Sequence, residues 1–174
     1  WKNNVHATLY DPYSGKEVSK VDVYSNNLPV GDSPQSQLGG KLRVSPLEPI
    51  FMGASNSNGY WTDLLSSLSI SAVWQYNTRY WADFEPSTRT KENSLNPYKI
   101  PSYHLFNLQF AMQLLPQRTG HNYIKGIDAF FNLNNLFNEL YIERGKDGST
   151  HTADSFTGYW GQGRNFNFGV RVVF

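Results

Sequence analysis

Residues 165–174 alternate without interruption: Phe166, Phe168, Val170, Val172 and Phe174 share one face of an extended chain, and Asn165, Asn167, Gly169 and Arg171 share the other. The same period of two recurs upstream. In 67–84 the even positions carry Leu68, Ile70, Ala72, Trp74, Tyr76, Tyr80 and Phe84, against Ser69, Ser71, Gln75, Asn77, Arg79 and Asp83. In 102–115, Phe106, Leu108, Phe110, Met112 and Leu114 oppose Asn107, Gln109 and Gln113. Shorter copies occupy 1–10, 18–25, 37–45 and 123–134, which makes about seven amphipathic strands in up-and-down order. Several reach the roughly 9–11 residues that a tilted membrane-spanning strand requires.

An alternating strand buries its apolar face in a soluble core or turns it to lipid in an outer-membrane barrel, where the polar face lines the lumen. Trp74, Tyr76, Tyr80, Phe84, Phe106, Phe110, Met112 and Phe131 are too many large apolar residues for the wet face of a sheet unless a second sheet covers them. The pattern therefore predicts an all-β chain, an antiparallel up-and-down transmembrane β-barrel segment. Turn signals fall where strands stop, at 11–15 and 116–120, and longer polar stretches occupy 85–101 and 144–162. Counting back from a last strand that ends in the periplasm, 26–33, 85–101 and 144–162 face outside. The connection 46–66 then falls on the periplasmic side and is longer than that side usually allows. No helix is predicted. Around Asn134 and Asn135 the apolar phase slips from odd to even, and a β-bulge there would restore it, unless the strand leaves the bilayer.

Composition narrows the chemistry. The 174 residues carry a net charge of +1 and no cysteine, which excludes a disulfide framework and thiolate metal sites. No clustered basic stripe offers a footprint for nucleic acid, and no apolar run is long enough for a helical span. His6, His104, His121 and His151 lie in separate segments without ligand spacing, so no metal is expected. No nucleophile elbow or P-loop occurs. Gly161-Gln162-Gly163 opens a strand, where a dinucleotide fingerprint would open a helix. The chain is read as non-enzymatic and free of cofactors. Asp147 and Asp154 read as solvated loop charges.

The inward set includes Lys41, Arg43, Asn107, Gln109, Asp128, Asn132, Asn134 and Arg171, expected mainly to bond one another, water and whatever fills the barrel. Substrate contact is assigned to Arg79, Trp81, Asp83 and Tyr103 near the outer end, and to His151, Tyr159 and Trp160 in the last long loop. Tyr98 and Phe156 add aromatic faces that could stack on a solute.

Four stretches resemble the C-terminal barrel segment of TonB-dependent outer-membrane receptors of the Bacteroidetes type. They are Val30 to Gln37 (VGDSPQSQ), Ile100 to Leu108 (IPSYHLFNL), Asn134 to Ile142 (NNLFNELYI), and Gly161 to Arg164 (GQGR) leading into the terminal strand. The resemblance covers most of residues 1–174. It implies the last seven or so strands of a 22-stranded barrel, with the plug domain and N-terminal strands outside this sequence. It also implies active uptake of a scarce solute such as a ferric chelate, corrinoid, glycan or peptide. The partners implied are outer-membrane lipid, the rest of the barrel and its plug, the inner-membrane TonB complex and a surface lipoprotein lid. Gly169, Val170, Val172 and Phe174 would form the signal read by the barrel-assembly machinery. Two other readings stand beside it: a soluble β-sandwich acting as a carbohydrate-binding module, and a passive porin-type barrel.

Overall fold

A computed structural model describes residues 4–47, 50, 59–91, 96–115 and 123–174. The chain is all-β and antiparallel, with strands β1 Val5–Tyr10, β2 Glu17–Val23, β3 Ser33–Val44, β4 Ser69–Trp81, β5 Lys99–Ile100, β6 Tyr103–Leu115, β7 Gly126–Asn134, β8 Ile142–Lys146, β9 Thr157–Trp160 and β10 Asn165–Val173. A short helix, α1, spans Tyr60–Ser66, and Pro86–Thr88 form a 3-10 turn. All seven alternating stretches contain strands. The turn predicted at 116–120 lies outside the described residues, as does most of 46–58.

Two compact units are present. One comprises Trp1–Gln37, Asn77–Ser102 and Leu140–Gly161; the other comprises Leu38–Tyr76, Tyr103–Glu139 and Gln162–Phe174. Strands β10, β7, β6, β4 and β3 are neighbours in that order, with β5 also on β4, so the long strands follow chain order as predicted. Strands β1 and β2 instead form a sheet of their own, a separation that alternation alone did not signal.

In the second unit the register puts like on like. Leu133 pairs with Leu108 and Phe166, Phe131 with Phe110 and Phe168, and Ala129 with Met112 and Val170. Directly paired residues point to the same side of a sheet, so these rows make one continuous apolar face. On the same face of β4 and β6, the His104 ring stacks on Tyr76 at 4.3 Å. The opposite face is bonded within itself. Asn132 donates to Asn167 at 2.8 Å, Asn134 to Asn165 at 2.9 Å, Lys41 to Gln109 at 3.1 Å and Arg43 to Ser69 at 3.1 Å, while Arg171 meets Asp128 at 2.8 Å. The polar residues of this face thus bond one another, as expected.

Exposure follows strand position as much as face. Ser69 and Ser71 on the polar face of the inner strand β4 are 4% and 5% exposed, Phe166 and Phe168 on the apolar face of the edge strand β10 are 68% and 77% exposed, and Asn167 and Arg171 on the polar face of β10 are exposed too.

The phase slip after β7 is a turn and not a bulge. The β7–β10 ladder runs unbroken to Asn134, and Asn135 then takes a left-handed conformation with φ of 50°. Asparagine tolerates this region better than most residues because its side chain bonds locally. Asn135 accepts from the Glu139 N–H at 2.8 Å and donates to the Glu139 and Gln162 carbonyls at 2.9 and 3.1 Å. Asn107 accepts the Asn135 N–H at 2.8 Å, so the strand is closed off by its neighbour on β6.

Two stretches read as polar loop contain regular structure. Most of 144–162 belongs to the β8–β9 hairpin, and α1 occupies the end of 46–66. Ser67 ends that helix by donating to the Leu64 carbonyl at 2.7 Å and accepting the Gln113 N–H at 2.9 Å, which ties α1 to β6.

Candidate functional site

The first unit contains a buried cluster of charged side chains, held in place by main-chain bonds. Asp83, just past the end of β4, forms a parallel bridge to Lys146 on β8. Its N–H donates to the Gly145 carbonyl at 2.7 Å, and its carbonyl accepts the Asp147 N–H at 2.7 Å. The Tyr80 hydroxyl donates to the Glu143 carbonyl on the same strand. A Cβ at Gly145 would overlap the Phe156 ring and come within 2.7 Å of the fixed Thr157 carbonyl oxygen. The Asp83 backbone thus clamps the hairpin, while its side chain is exposed.

That clamp delivers Asp147 to a buried position. Its carboxylate side chain is 2% exposed and the Arg89 side chain 3%. One oxygen accepts from Arg89 Nη2 at 2.7 Å and from His151 Nδ1 at 2.6 Å; the other accepts the Tyr98 N–H at 2.9 Å. The expectation of a solvated Asp147 is overturned: burying a carboxylate is tolerated because three donors and one permanent cation surround it. Arg89 Nη1 lies 2.8 Å from His151 Nε2 and 3.4 Å from Nδ1. The guanidinium thus contacts the imidazole on the nitrogen side of the ring. The Arg89 guanidinium carbon lies over the Phe84 ring, 4.9 Å from the centroid. His151 has φ of 57°, an uncommon conformation for its residue type that the contacts around it hold in place.

A cavity of about 860 Å³ opens beside this cluster, lined by residues 84–85, 88–91 and 146–151. A second, of about 460 Å³, brings together Arg79, Trp81, Gln35, Asn96 and 27–30. Arg79 there has φ of 54°, and Lys99 sits over the Trp81 ring at 5.7 Å.

Of the residues assigned to solute contact, Arg79 and Trp81 thus share one cavity and His151 lines the other. Tyr159 and Trp160 are exposed on β9, where adjacent positions face opposite sides of the strand. Arg144 stacks over Tyr159 at 5.6 Å. Tyr103 starts β6 and belongs to the second unit. Tyr98 and Phe156 pack on each other, their centroids 4.7 Å apart, so they are half-buried and not presented as open stacking faces. In the assembly segment, Val170, Val172 and Phe174 are exposed, while Gly169 lies under the Phe130 ring of its paired residue. Arg89 was not singled out from the sequence, and no local signal marks it: its partners Asp147 and His151 lie 58 and 62 residues away.

Comparisons with protein-family models, with curated proteins and with solved structures found no match.

Proposed function

We propose that the chain forms the C-terminal part of a TonB-dependent outer-membrane receptor, a 22-stranded barrel that takes up a scarce solute and catalyses no reaction. One observation carries the reading: the large sheet has a continuous apolar face whose aromatic residues Phe131, Phe166 and Phe168 are exposed. Soluble monomers rarely expose a contiguous apolar patch beyond a few hundred Å², and lipid is the solvent that such a face fits. The bonded amides and ion pair of the opposite face suit a lumen packed with polar partners. The resemblance of residues 30–37, 100–108, 134–142 and 161–164 supplies the family, and with it the plug, the energised inner-membrane partner and the surface lipoprotein.

The test uses the full-length protein in its native outer membrane. Spin labels at Leu108 and Phe168 should report lipid, and labels at Gln109 and Asn167 should report a polar interior. Uptake by cells should stop when the inner-membrane energy source is collapsed, which separates this reading from a passive porin. Water at Leu108 and Phe168, or uptake that survives de-energisation, overturns it.

A further inference from the structure

We infer that the 860 Å³ cavity of the first unit is a binding site for a hydroxyl-rich solute bearing one carboxylate, an acidic saccharide of uronate type, with Lys146 as its anion contact. The volume lies in the range of small-ligand pockets, roughly 300–1,000 Å³. The lining supplies the chemistry. Arg89, Lys91 and Lys146 are cationic, Glu85 and Asp147 are anionic, and Thr90, Ser149 and Thr150 offer hydroxyls.

The Arg89 and Asp147 charges are consumed by each other, at 2.7 Å and with side chains almost fully buried, so they set the shape of the wall more than its potential. Lys146 differs from Arg89. It closes β8, its backbone is bridged to Asp83, and the residue is exposed and lines the cavity. A point-charge donor on a strand beside several hydroxyls matches one carboxylate on a polyhydroxylated body.

The walls are also preorganised. Gly148 turns so tightly that a Cβ would overlap Ser155, and Thr150 Oγ1 bonds Ser155 Oγ at 2.8 Å. His151 is held in its left-handed conformation against Asp147 and Arg89. Binding therefore spends little on ordering the loop.

The inference deepens the uptake reading, and rests on it for treating the ligand as cargo. Binding is nevertheless read on the protein alone. Calorimetry on the full-length protein purified in detergent should show digalacturonate binding at least tenfold more tightly than digalactose, with the preference shrinking as salt rises. Lys146→Gln should abolish the preference, Lys146→Arg should retain it, and Lys20→Gln, on β2 and outside the lining, should leave it unchanged. Equal binding of the two disaccharides, binding of neither, or a preference that survives Lys146→Gln overturns the site. Any of these results leaves the spin-label test of the membrane reading untouched. Acid-selective binding by a protein whose Leu108 and Phe168 labels report water would sink the membrane reading and keep the pocket.

Discussion

Replacing Asp147 with alanine removes a single carboxylate and strands a charge. Arg89 stays buried and loses the carboxylate that bonds it at 2.7 Å. Both side chains are at most 3% exposed, so solvent does not screen the loss, and breaking one partner of a buried pair costs about 3–5 kcal/mol. At roughly 1.4 kcal/mol per tenfold, the local opening equilibrium should shift by about two to three and a half powers of ten. Native-state hydrogen exchange reads this directly. The amides of Asp83, Tyr98 and Asp147, bonded to Gly145, to the Asp147 carboxylate and to Asp83, should lose protection by that factor. The Asn135 amide, bonded to Asn107 in the other unit, should keep its own. Replacing both members together, Asp147→Leu with Arg89→Met, should cost less than Asp147→Ala alone, because no uncompensated charge remains. Unchanged protection in the single variant, or a double variant as damaged as the sum of the two singles, would refute the account of Asp147 as an electrostatic hub.

Phe168→Arg should destabilise the folded protein in lipid vesicles by about 2–4 kcal/mol if the site lies near the midplane, whereas Asn167→Arg should cost under about 1.5 kcal/mol, chiefly the lost amide bond; equal costs in a urea titration would contradict the lipid-facing assignment. Deleting Phe174 should lower the amount of protein inserted in the outer membrane, and an unchanged level by immunoblot would dissociate that residue from assembly. Gly31→Ala should cost about 1–3 kcal/mol, because the added Cβ meets the Ala82 carbonyl at 2.8 Å and the Asp83 Cα at 2.9 Å, neither of which can swing away. Gly169→Ala should cost less, since what it meets is the movable Phe130 ring, and a reversed order of melting temperatures would be inconsistent with both placements. Asp11 accepts the Ser14 and Tyr13 N–H bonds, which hold its carboxyl below the ordinary carboxylate range. Its folded value is thus the lower one, so the β1–β2 turn is supported above the unfolded value and loses that support as pH falls through the folded value. Amide shifts of Tyr13 and Ser14 should follow that low titration, and a midpoint at the unfolded value would exclude the turn as its cause.

The large sheet was legible because its strands are long and two-faced, and the period of two survives over nine to thirteen residues in β4, β6, β7 and β10. The β8–β9 hairpin was not. Its strands have five and four residues, each carries a glycine, and Glu143, Arg144 and Lys146 show no apolar alternation to detect. Helix α1 is seven residues long, below the length at which a helical period stands out. The site followed the same division. Arg79 and Trp81 could be paired from strand phase, but the burial of Asp147 depends on Arg89 across 58 positions, a contact that no local pattern encodes. That contact also changes how the last long loop can be tested. Removing 146–155 to look for solute capture would delete the hub with the loop, so point changes at Lys146 are the cleaner perturbation.

Strands β7 and β10 are cross-linked near one end by side-chain amides, Asn132 with Asn167 and Asn134 with Asn165, and near the other by the single ion pair of Asp128 with Arg171. An amide pair neither titrates nor attracts counterions, so salt that screens the ion pair leaves it intact. The alignment of these two strands is consequently encoded by shape and hydrogen-bond polarity at the asparagine end. A change of acidity or ionic strength therefore leaves that end of the alignment in place.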